Sequence, residues 1–153
     1  MEWLRDVAPL VGRILLALIF VVSGFGKVMD MSGTAGYMVQ AGISSALVHP
    51  ALYLTIAIEL GCGLLIMAGL QTRLAALAIF LWFIPVTLVF HVAGYYHAAQ
   101  QHQAMAALTQ QIMFLKNISI MGGLLLLAGL GPGPISVDGR TETAGMPQTR
   151  RAA

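Results

Sequence analysis

The sequence predicts an all-α integral membrane protein, an antiparallel bundle of four transmembrane helices with short interfacial helices in its outer connectors. The 153 residues are 58% hydrophobic and only 9% charged, whereas soluble domains contain roughly 25% charged residues. A helix needs about 20 apolar residues to cross a bilayer. Four apolar runs of about that length alternate with short polar connectors, so we expect one membrane domain over residues 1–131.

The first apolar run, residues 9–29, predicts span 1, and its charged and small residues share one helix face. They are spaced alternately four and three residues apart, as along one stripe of a helix. The stripe consists of Arg13, Ala17, Phe20, Gly24 and Lys27. Small residues let helices approach closely, so this stripe should face the bundle. Alternatively, Arg13 and Lys27 each extend to the nearest membrane interface. Both options stay open for Arg13, while Ser23 beside Lys27 favours an inward Lys27.

Glu59 lies near the middle of the second apolar run, residues 51–70, which predicts span 2. A carboxylate at that depth costs several kcal/mol unless protein, water or a cation surrounds it. Gly63 shares its helix face, so a neighbouring helix can approach the carboxylate closely. Before this span, residues 30–50 predict a connector with one short helix that ends at Gly42.

Spans 3 and 4 are predicted at residues 74–92 and 112–130. Pro85 lacks a backbone N–H and should kink span 3. Between the two spans, residues 94–111 are polar but nearly uncharged. The spacing of their apolar residues predicts an interfacial helix that continues directly into span 4.

The arginines predict the orientation, because cytoplasmic loops of membrane proteins contain an excess of Lys and Arg. One end of the predicted bundle holds five arginines, whereas the opposite connectors hold no Lys or Arg beyond Lys27 at the edge of span 1. The five are Arg5, Arg73, Arg140, Arg150 and Arg151. We therefore expect a multi-pass membrane protein with both termini in the cytoplasm. After Gly131-Pro132-Gly133-Pro134 the composition becomes polar, so residues 132–153 predict a disordered cytoplasmic tail.

All four spans place polar side chains in the outer half of the bundle. A helix rises about 1.5 Å per residue, which puts Lys27 and His91 near the outer surface. By the same count, Lys116 and Asn117 lie about 6 to 8 Å below that surface. Glu59 lies about 12 to 13 Å below it. A lysine side chain reaches about 6 Å, so we expect Lys116 to pair with Glu59.

The sequence leaves two interpretations of this polar cluster open. In the first, Glu59 and Lys116 form a buried ion pair that only fixes the helix register, and backbone carbonyls satisfy the other polar groups. In the second, the cluster forms a small outward-facing pocket whose cation and imidazole bind an anionic or carbonyl-bearing ligand, or pass protons.

Several other classes of function are not expected. No second inward histidine lies at the depth of His91, so we expect no metal site. Cys62 is the sole cysteine, which excludes an internal disulfide or dithiol. No run of basic residues predicts binding to nucleic acid.

Several short motifs follow one another in a fixed order along the chain. They are Gly12-Arg13, Ser23-Gly24-Phe25-Gly26-Lys27, Glu59 with Gly63, Gly69-Leu70-Gln71-Thr72-Arg73, His91, Lys116-Asn117, Gly131-Pro132-Gly133 and Ser136-Val137-Asp138. In this order and spacing, the chain resembles the DoxX family of small bacterial membrane proteins from Val7 to Asp138. The resemblance implies a four-helix membrane fold and an association with respiratory or sulfur redox systems. Relatives in that family include a subunit of a thiosulfate:quinone oxidoreductase and a partner of a superoxide dismutase and a sulfurtransferase.

The resemblance and the polar cluster together predict a DoxX-like plasma-membrane protein that supports a redox process, as a component of a membrane oxidoreductase. We expect it to bind a quinone or a similar small carbonyl compound in the outer-half pocket. The expected ligand-binding residues are Arg13, Lys27, Glu59, His91, Lys116 and Asn117. Besides the lipid bilayer, the expected partner is a soluble or membrane-bound redox protein. The alternative is a non-enzymatic membrane scaffold that recruits a soluble redox partner.

Reporter fusions test the predicted orientation. A reporter that is active only in the cytoplasm should be active after Arg73 and after Arg151, because both positions belong to the arginine-rich end. A fusion near Gln103 should be active only with a reporter that works outside the cytoplasm. A cytoplasmic signal near Gln103 would contradict the predicted orientation.

Overall fold

The computed structural model describes residues 2–140, and nearly all of them are helical. The helices are α1 (Glu2–Met29), α2 (Met31–Gln40), α3 (Ser45–Ala68), α4 (Thr72–Gln100) and α5 (Ala104–Leu130). Four of them, α1, α3, α4 and α5, are long and apolar enough to cross a membrane. α1 packs against α3, α3 against α4, and α4 against α5. The predicted fold class, an all-α integral membrane protein, is confirmed.

The two ends of the bundle are formed by different connecting segments. The basic end holds the loop between α3 and α4 with the first residues of α4, residues 69–73, and the segment after α5, residues 131–140. The connector end holds the α1–α3 connector with α2, residues 30–44, and the turn between α4 and α5, residues 101–103.

An apolar core fills the centre of the bundle with residues from all four spans. Its buried members are Ala17, Phe20, Ile66, Ala75, Ala76, Ile79, Phe83 and Leu124. The rings of Phe20 and Phe83 meet edge to face with centroids 5.1 Å apart, an arrangement that aromatic pairs favour. Large apolar side chains such as Leu15 and Leu126 point away from this core and are exposed. The outer surface of the spans is therefore suited to contact with lipid.

The predicted stripe on α1 faces the bundle and lets α1 and α3 approach each other closely. A Cβ atom on Gly24 would lie 2.9 Å from the backbone nitrogen of Leu60 on α3. A Cβ atom on Gly63 would lie 3.2 Å from the Cβ of Phe20 on α1. Glycines on both helices thus bring the two backbones together beside Glu59.

After the connector between α1 and α3, α3 begins at Ser45, whereas the sequence predicts its start at residue 51. Pro50 lies inside the helix, but so close to its start that the missing N–H removes only one hydrogen bond near the helix end. The short helix α2 is present, and Gly42 follows it with a φ of +93°. Asp30 caps α2, because its Oδ1 accepts a hydrogen bond from the N–H of Gly33 at 2.9 Å.

The connector between α4 and α5 also differs from the prediction. Instead of a separate interfacial helix, α4 continues to Gln100 and α5 begins at Ala104. His102 in the turn between them has a φ of +57°. The polar residues before this turn lengthen α4, and those after it lengthen α5. Neither Gly nor Pro interrupts the start of α5. The predicted continuity with span 4 is confirmed only from Ala104 onward, because residues 94–100 belong to α4.

Two turns of π-helix interrupt the spans, at Ala57–Cys62 in α3 and at Thr87–Val92 in α4. Such turns, with hydrogen bonds between residues five apart, are rare and occur frequently at functional sites. The second begins shortly after Pro85, where the sequence predicts a kink. Glu59 lies in the first π-helical turn and His91 in the second.

Residues 132–140 are packed onto the bundle, so the prediction of a disordered tail from residue 132 is wrong for this part. The carboxylate of Asp138 accepts hydrogen bonds from the N–H groups of Gln71 at 2.9 Å and Thr72 at 3.0 Å. These N–H groups lie at the start of α4, where the helix itself supplies no acceptors. The docking is polar, and a search for an apolar face therefore misses it. Residues 141–153 of the predicted tail lie outside the described residues.

Asp138 lies outside the spans, and the pKa of its carboxyl group is lower than usual. Burial alone raises this pKa, but the hydrogen bonds from Thr72 and Gln71 and the nearby charge of Arg13 outweigh burial. The ionised carboxylate therefore stabilises the fold above the unfolded-state pKa of about 3.9. This stabilisation is lost as the pH falls through the lowered pKa of the folded state.

Asp138→Ala should reduce the free energy of unfolding by about 1 to 2 kcal/mol at neutral pH, because the start of α4 loses its capping oxygens. The difference from the parent protein should shrink below about pH 4. Thermal unfolding in detergent across this pH range measures both effects. Asp6→Ala, which removes an exposed acid at the same end, is the matched control and should change little. Equal stability of Asp138→Ala and the parent at neutral pH would contradict the capping role.

Candidate functional site

A polar cavity lies in the half of the bundle nearer the connector end, with walls from all four spans and from α2. Its volume is about 190 Å³. Its polar lining residues are Ser23, Lys27, Thr34, Tyr37, Thr55, Glu59, His91, Lys116 and Asn117. The structure thus brings five of the six predicted ligand-binding residues to one space, which we call the inner cavity.

An ion pair between Lys27 and Glu59 forms one wall of the inner cavity. The Lys27 Nζ lies 2.7 Å from the Glu59 Oε2 and also donates a hydrogen bond to the Ser23 Oγ at 2.6 Å. The Glu59 side chain is only 5% exposed, and that of Lys27 is 22% exposed. The carboxylate is therefore the buried member of the pair, and Lys27 supplies the neighbouring positive charge that makes burial tolerable.

The predicted pairing of Glu59 with Lys116 is wrong. Helical rise gives the depth of a residue along its span, but it does not tell which spans are adjacent. Gly24 brings α1 against α3, and Lys27 follows Gly24 by three residues on the same face of α1. Lys116 lies on α5, and its side chain lines the same cavity from an exposed position.

Asn117 and Thr87 form a buried polar contact between α5 and α4. The Asn117 Nδ2 donates a hydrogen bond to the Thr87 Oγ1 at 3.0 Å, and each residue is only 3% exposed. Lys116 next to Asn117 makes no ion pair within residues 2–140. Its ammonium group is thus a hydrogen-bond donor that the described part of the chain leaves available to a ligand.

His91 is held by Gln110, a residue that the sequence analysis did not single out. The His91 Nδ1 lies 2.8 Å from the Gln110 Oε1. A carbonyl oxygen only accepts hydrogen bonds, so with this amide orientation Nδ1 carries the proton. Gln110 precedes Asn117 by seven residues, which places both on one face of α5. That spacing could have identified Gln110 from the sequence.

Helix α2 lines the inner cavity at the connector end. The ring of Tyr37 stacks on that of Phe90, with centroids 5.4 Å apart and planes inclined by 16°. Met38 beside it is buried, and Thr34 also lines the cavity. Phe83 and Phe90 of α4 provide aromatic walls. The interior therefore combines flat apolar surfaces with a few polar groups, the composition typical of small-molecule sites.

Arg13 does not reach the inner cavity. It faces the bundle and is 4% exposed, but it lies near the basic end, where its Nη1 donates to the carbonyl of Pro132 at 2.7 Å. Of the two orientations left open for Arg13, the structure has the inward one, whereas the geometry does not support its place in the ligand-binding set. Its contact holds the segment after α5 against α1.

The family model of DoxX matches residues 8–92, more than half of the chain. The chain belongs to the DoxX family. Lys27, Glu59 and His91 of this DoxX protein lie inside the matched residues, whereas Lys116 and Asn117 lie beyond them.

This DoxX protein is similar along most of its length to two proteins of Escherichia coli K12. It is 36% identical to inner membrane protein YqjF over 138 residues, which cover 90% of this chain and 95% of YqjF. It is 38% identical to inner membrane protein YphA over 137 residues, which cover 89% of this chain and 91% of YphA. No solved structure matches the chain.

Removal of one member of the ion pair should destabilise the protein more than removal of both. Lys27→Met leaves the Glu59 carboxylate buried without its partner, a change that costs about 3 to 5 kcal/mol in buried pairs. Lys27→Met combined with Glu59→Gln removes both charges and should recover most of that loss. Thermal unfolding in detergent measures the effect.

The matched control replaces the other lysine of the cavity. Lys116→Met combined with Glu59→Gln should be no more stable than Glu59→Gln alone, because Lys116 is not the partner. Recovery with Lys116→Met but not with Lys27→Met would overturn the assignment of the pair.

Proposed function

We propose that the inner cavity binds a quinone or a similar small ring compound that bears carbonyl groups, and that the protein thereby supports a redox process in a bacterial plasma membrane. The observation that carries this proposal is Lys116, which makes no ion pair among residues 2–140 and lines an aromatic cavity whose other two charges cancel. Such a cavity offers hydrogen-bond donors and flat apolar walls together.

The charges of the inner cavity favour oxygen acceptors. Lys27 and Glu59 neutralise each other at 2.7 Å, so Lys116 leaves a surplus positive charge among the described lining residues. A carbonyl oxygen accepts hydrogen bonds from ammonium and amide groups. When a quinone is reduced its oxygens become more negative, and a nearby ammonium group then binds them more strongly.

The size of the cavity favours a single ring. Ligand sites for drug-sized molecules have volumes of roughly 300 to 1,000 Å³, whereas the inner cavity has about 190 Å³. A substituted benzoquinone ring is the scale of ligand that this volume suits. Any apolar tail on the ligand would remain outside, in contact with the bilayer.

The proposed location is the plasma membrane, with both termini in the cytoplasm. The names of YqjF and YphA describe inner membrane proteins, and the arginines at the basic end support this orientation.

The proposed redox role depends on a partner protein. Conversion of a quinone to a quinol takes two electrons and two protons, and this chain has a single cysteine, Cys62, so it has no dithiol of its own. A soluble or membrane-bound redox protein would exchange the electrons. The DoxX protein would then act as the ligand-binding component of a membrane oxidoreductase.

Binding of duroquinone, a tailless benzoquinone, tests the proposal. The purified protein in detergent should bind it, and Lys116→Met should weaken binding about tenfold, the effect of losing one hydrogen bond to a charged group. Isothermal titration calorimetry measures the dissociation constants. Arg5→Met removes a positive charge at the basic end and should leave binding unchanged.

Two outcomes would count against quinone binding. If the parent protein and Lys116→Met bind duroquinone equally, the ammonium group does not contact the ligand. If the parent binds no quinone, and organic extraction of the purified protein yields none, the proposal fails. Co-purification of a soluble redox enzyme with such a quinone-free protein would instead favour a non-enzymatic scaffold.

A further inference from the structure

A second cavity lies between α4 and α5 at the connector end. It has a volume of about 230 Å³, larger than that of the inner cavity. We call it the outer groove. Its lining residues are His91, Val92, Tyr95, Tyr96, Gln110, Gln111 and Phe114.

The chemistry of the outer groove differs from that of the inner cavity. No carboxylate, ammonium or guanidinium group is among its described lining residues. Tyr95, Tyr96 and Phe114 supply three aromatic rings, and the two tyrosine rings meet edge to face with centroids 5.7 Å apart. The carboxamides of Gln110 and Gln111 supply hydrogen bonds. This combination suits an uncharged, flat molecule with polar oxygens.

The two cavities share a wall. His91 lines both of them, and Gln110, which holds the imidazole at 2.8 Å, lines the outer groove. Tyrosines at the membrane interface are common by themselves. An interfacial position does not account for amide groups that line a cavity, or for an imidazole that this cavity shares with the inner cavity.

We propose that the outer groove is a second binding site for an uncharged ring compound with carbonyl groups, and that this compound moves past His91 between the groove and the inner cavity. The proposal rests on the proposed function, because it assigns the same class of ligand to both sites. The uncharged groove receives the neutral compound. The inner cavity, with its ammonium groups, then holds the form that carries more negative charge on its oxygens.

Photolabelling with an azido-substituted benzoquinone tests this assignment. The parent protein in lipid nanodiscs should be labelled at residues of both sites, as identified by mass spectrometry of its peptides. Labels at Tyr95, Tyr96 or Phe114 report the outer groove. Labels on α1 or α3 near Lys27 and Glu59 report the inner cavity.

Substitutions in the groove should slow the filling of the inner cavity. Tyr96→Ala and Phe114→Ala should each reduce groove labelling about three- to tenfold, the effect of losing one aromatic contact. They should also lower the initial rate of inner-cavity labelling, because the ligand reaches it through the groove. Tyr53→Ala is the matched control: Tyr53 is an exposed tyrosine on α3 that lines neither cavity, and both signals should be unchanged.

The outcomes distinguish the two proposals. Label in the inner cavity alone, at a rate that Tyr96→Ala and Phe114→Ala do not alter, would overturn the outer groove and leave the proposed function standing. Label in the groove alone would support the groove as a ring-binding site and contradict binding in the inner cavity. Absence of label from both sites would overturn both proposals.

Discussion

A carboxylate inside a membrane span must be neutralised, and the rest of this structure depends on how Glu59 meets that constraint. Its partner Lys27 comes from another helix, so the pair forms only where α1 and α3 are in close contact. Gly24 allows that contact, because any larger residue would collide with the α3 backbone at Leu60. The Lys27 ammonium group is shared between Ser23 and Glu59, which fixes the rotation of α1 relative to α3. One electrostatic requirement therefore sets both the spacing and the register of the first two spans.

In a bundle surrounded by lipid, polar contacts between helices help to select one arrangement of the spans. Lipid tails are as apolar as the faces of the helices, so burial of apolar side chains does little to select one arrangement of spans over another. Near the basic end, Arg13 binds the carbonyl of Pro132, and Asp138 caps α4 at Thr72. Arg73 donates to the carbonyl of Gly129 at the end of α5 at 2.8 Å. The first two contacts tie the segment after α5 to α1 and α4, and the third ties α4 to α5, as the ion pair ties α1 to α3 in the opposite half.

The two π-helical turns lie beside the cavities of the bundle. A π-helical turn shifts the side chains that follow it relative to a regular helix. One such turn carries Glu59 and the other carries His91, so both ionisable groups lie where the backbone is irregular. The result is a gradient of polarity along the bundle. An uncharged aromatic groove at the connector end adjoins a smaller cavity with a surplus positive charge, and an apolar core lies below both. Such an arrangement suits a ligand whose charge changes while it is bound.

The sequence by itself determined the number of spans, the all-α class, the inward stripe of α1 and the set of polar residues that gather in one half of the bundle. These follow from local periodicity and helical rise, which depend only on the order of residues along one helix. Only the tertiary structure decided that Glu59 pairs with Lys27, because the choice between two lysines depends on which helices are adjacent. It also decided that Asp138 docks on α4, since a few hydrogen bonds to free N–H groups leave no apolar pattern in the sequence. The π-helical turns are also features that only the tertiary structure decided, because they depend on packing between helices that no single segment encodes.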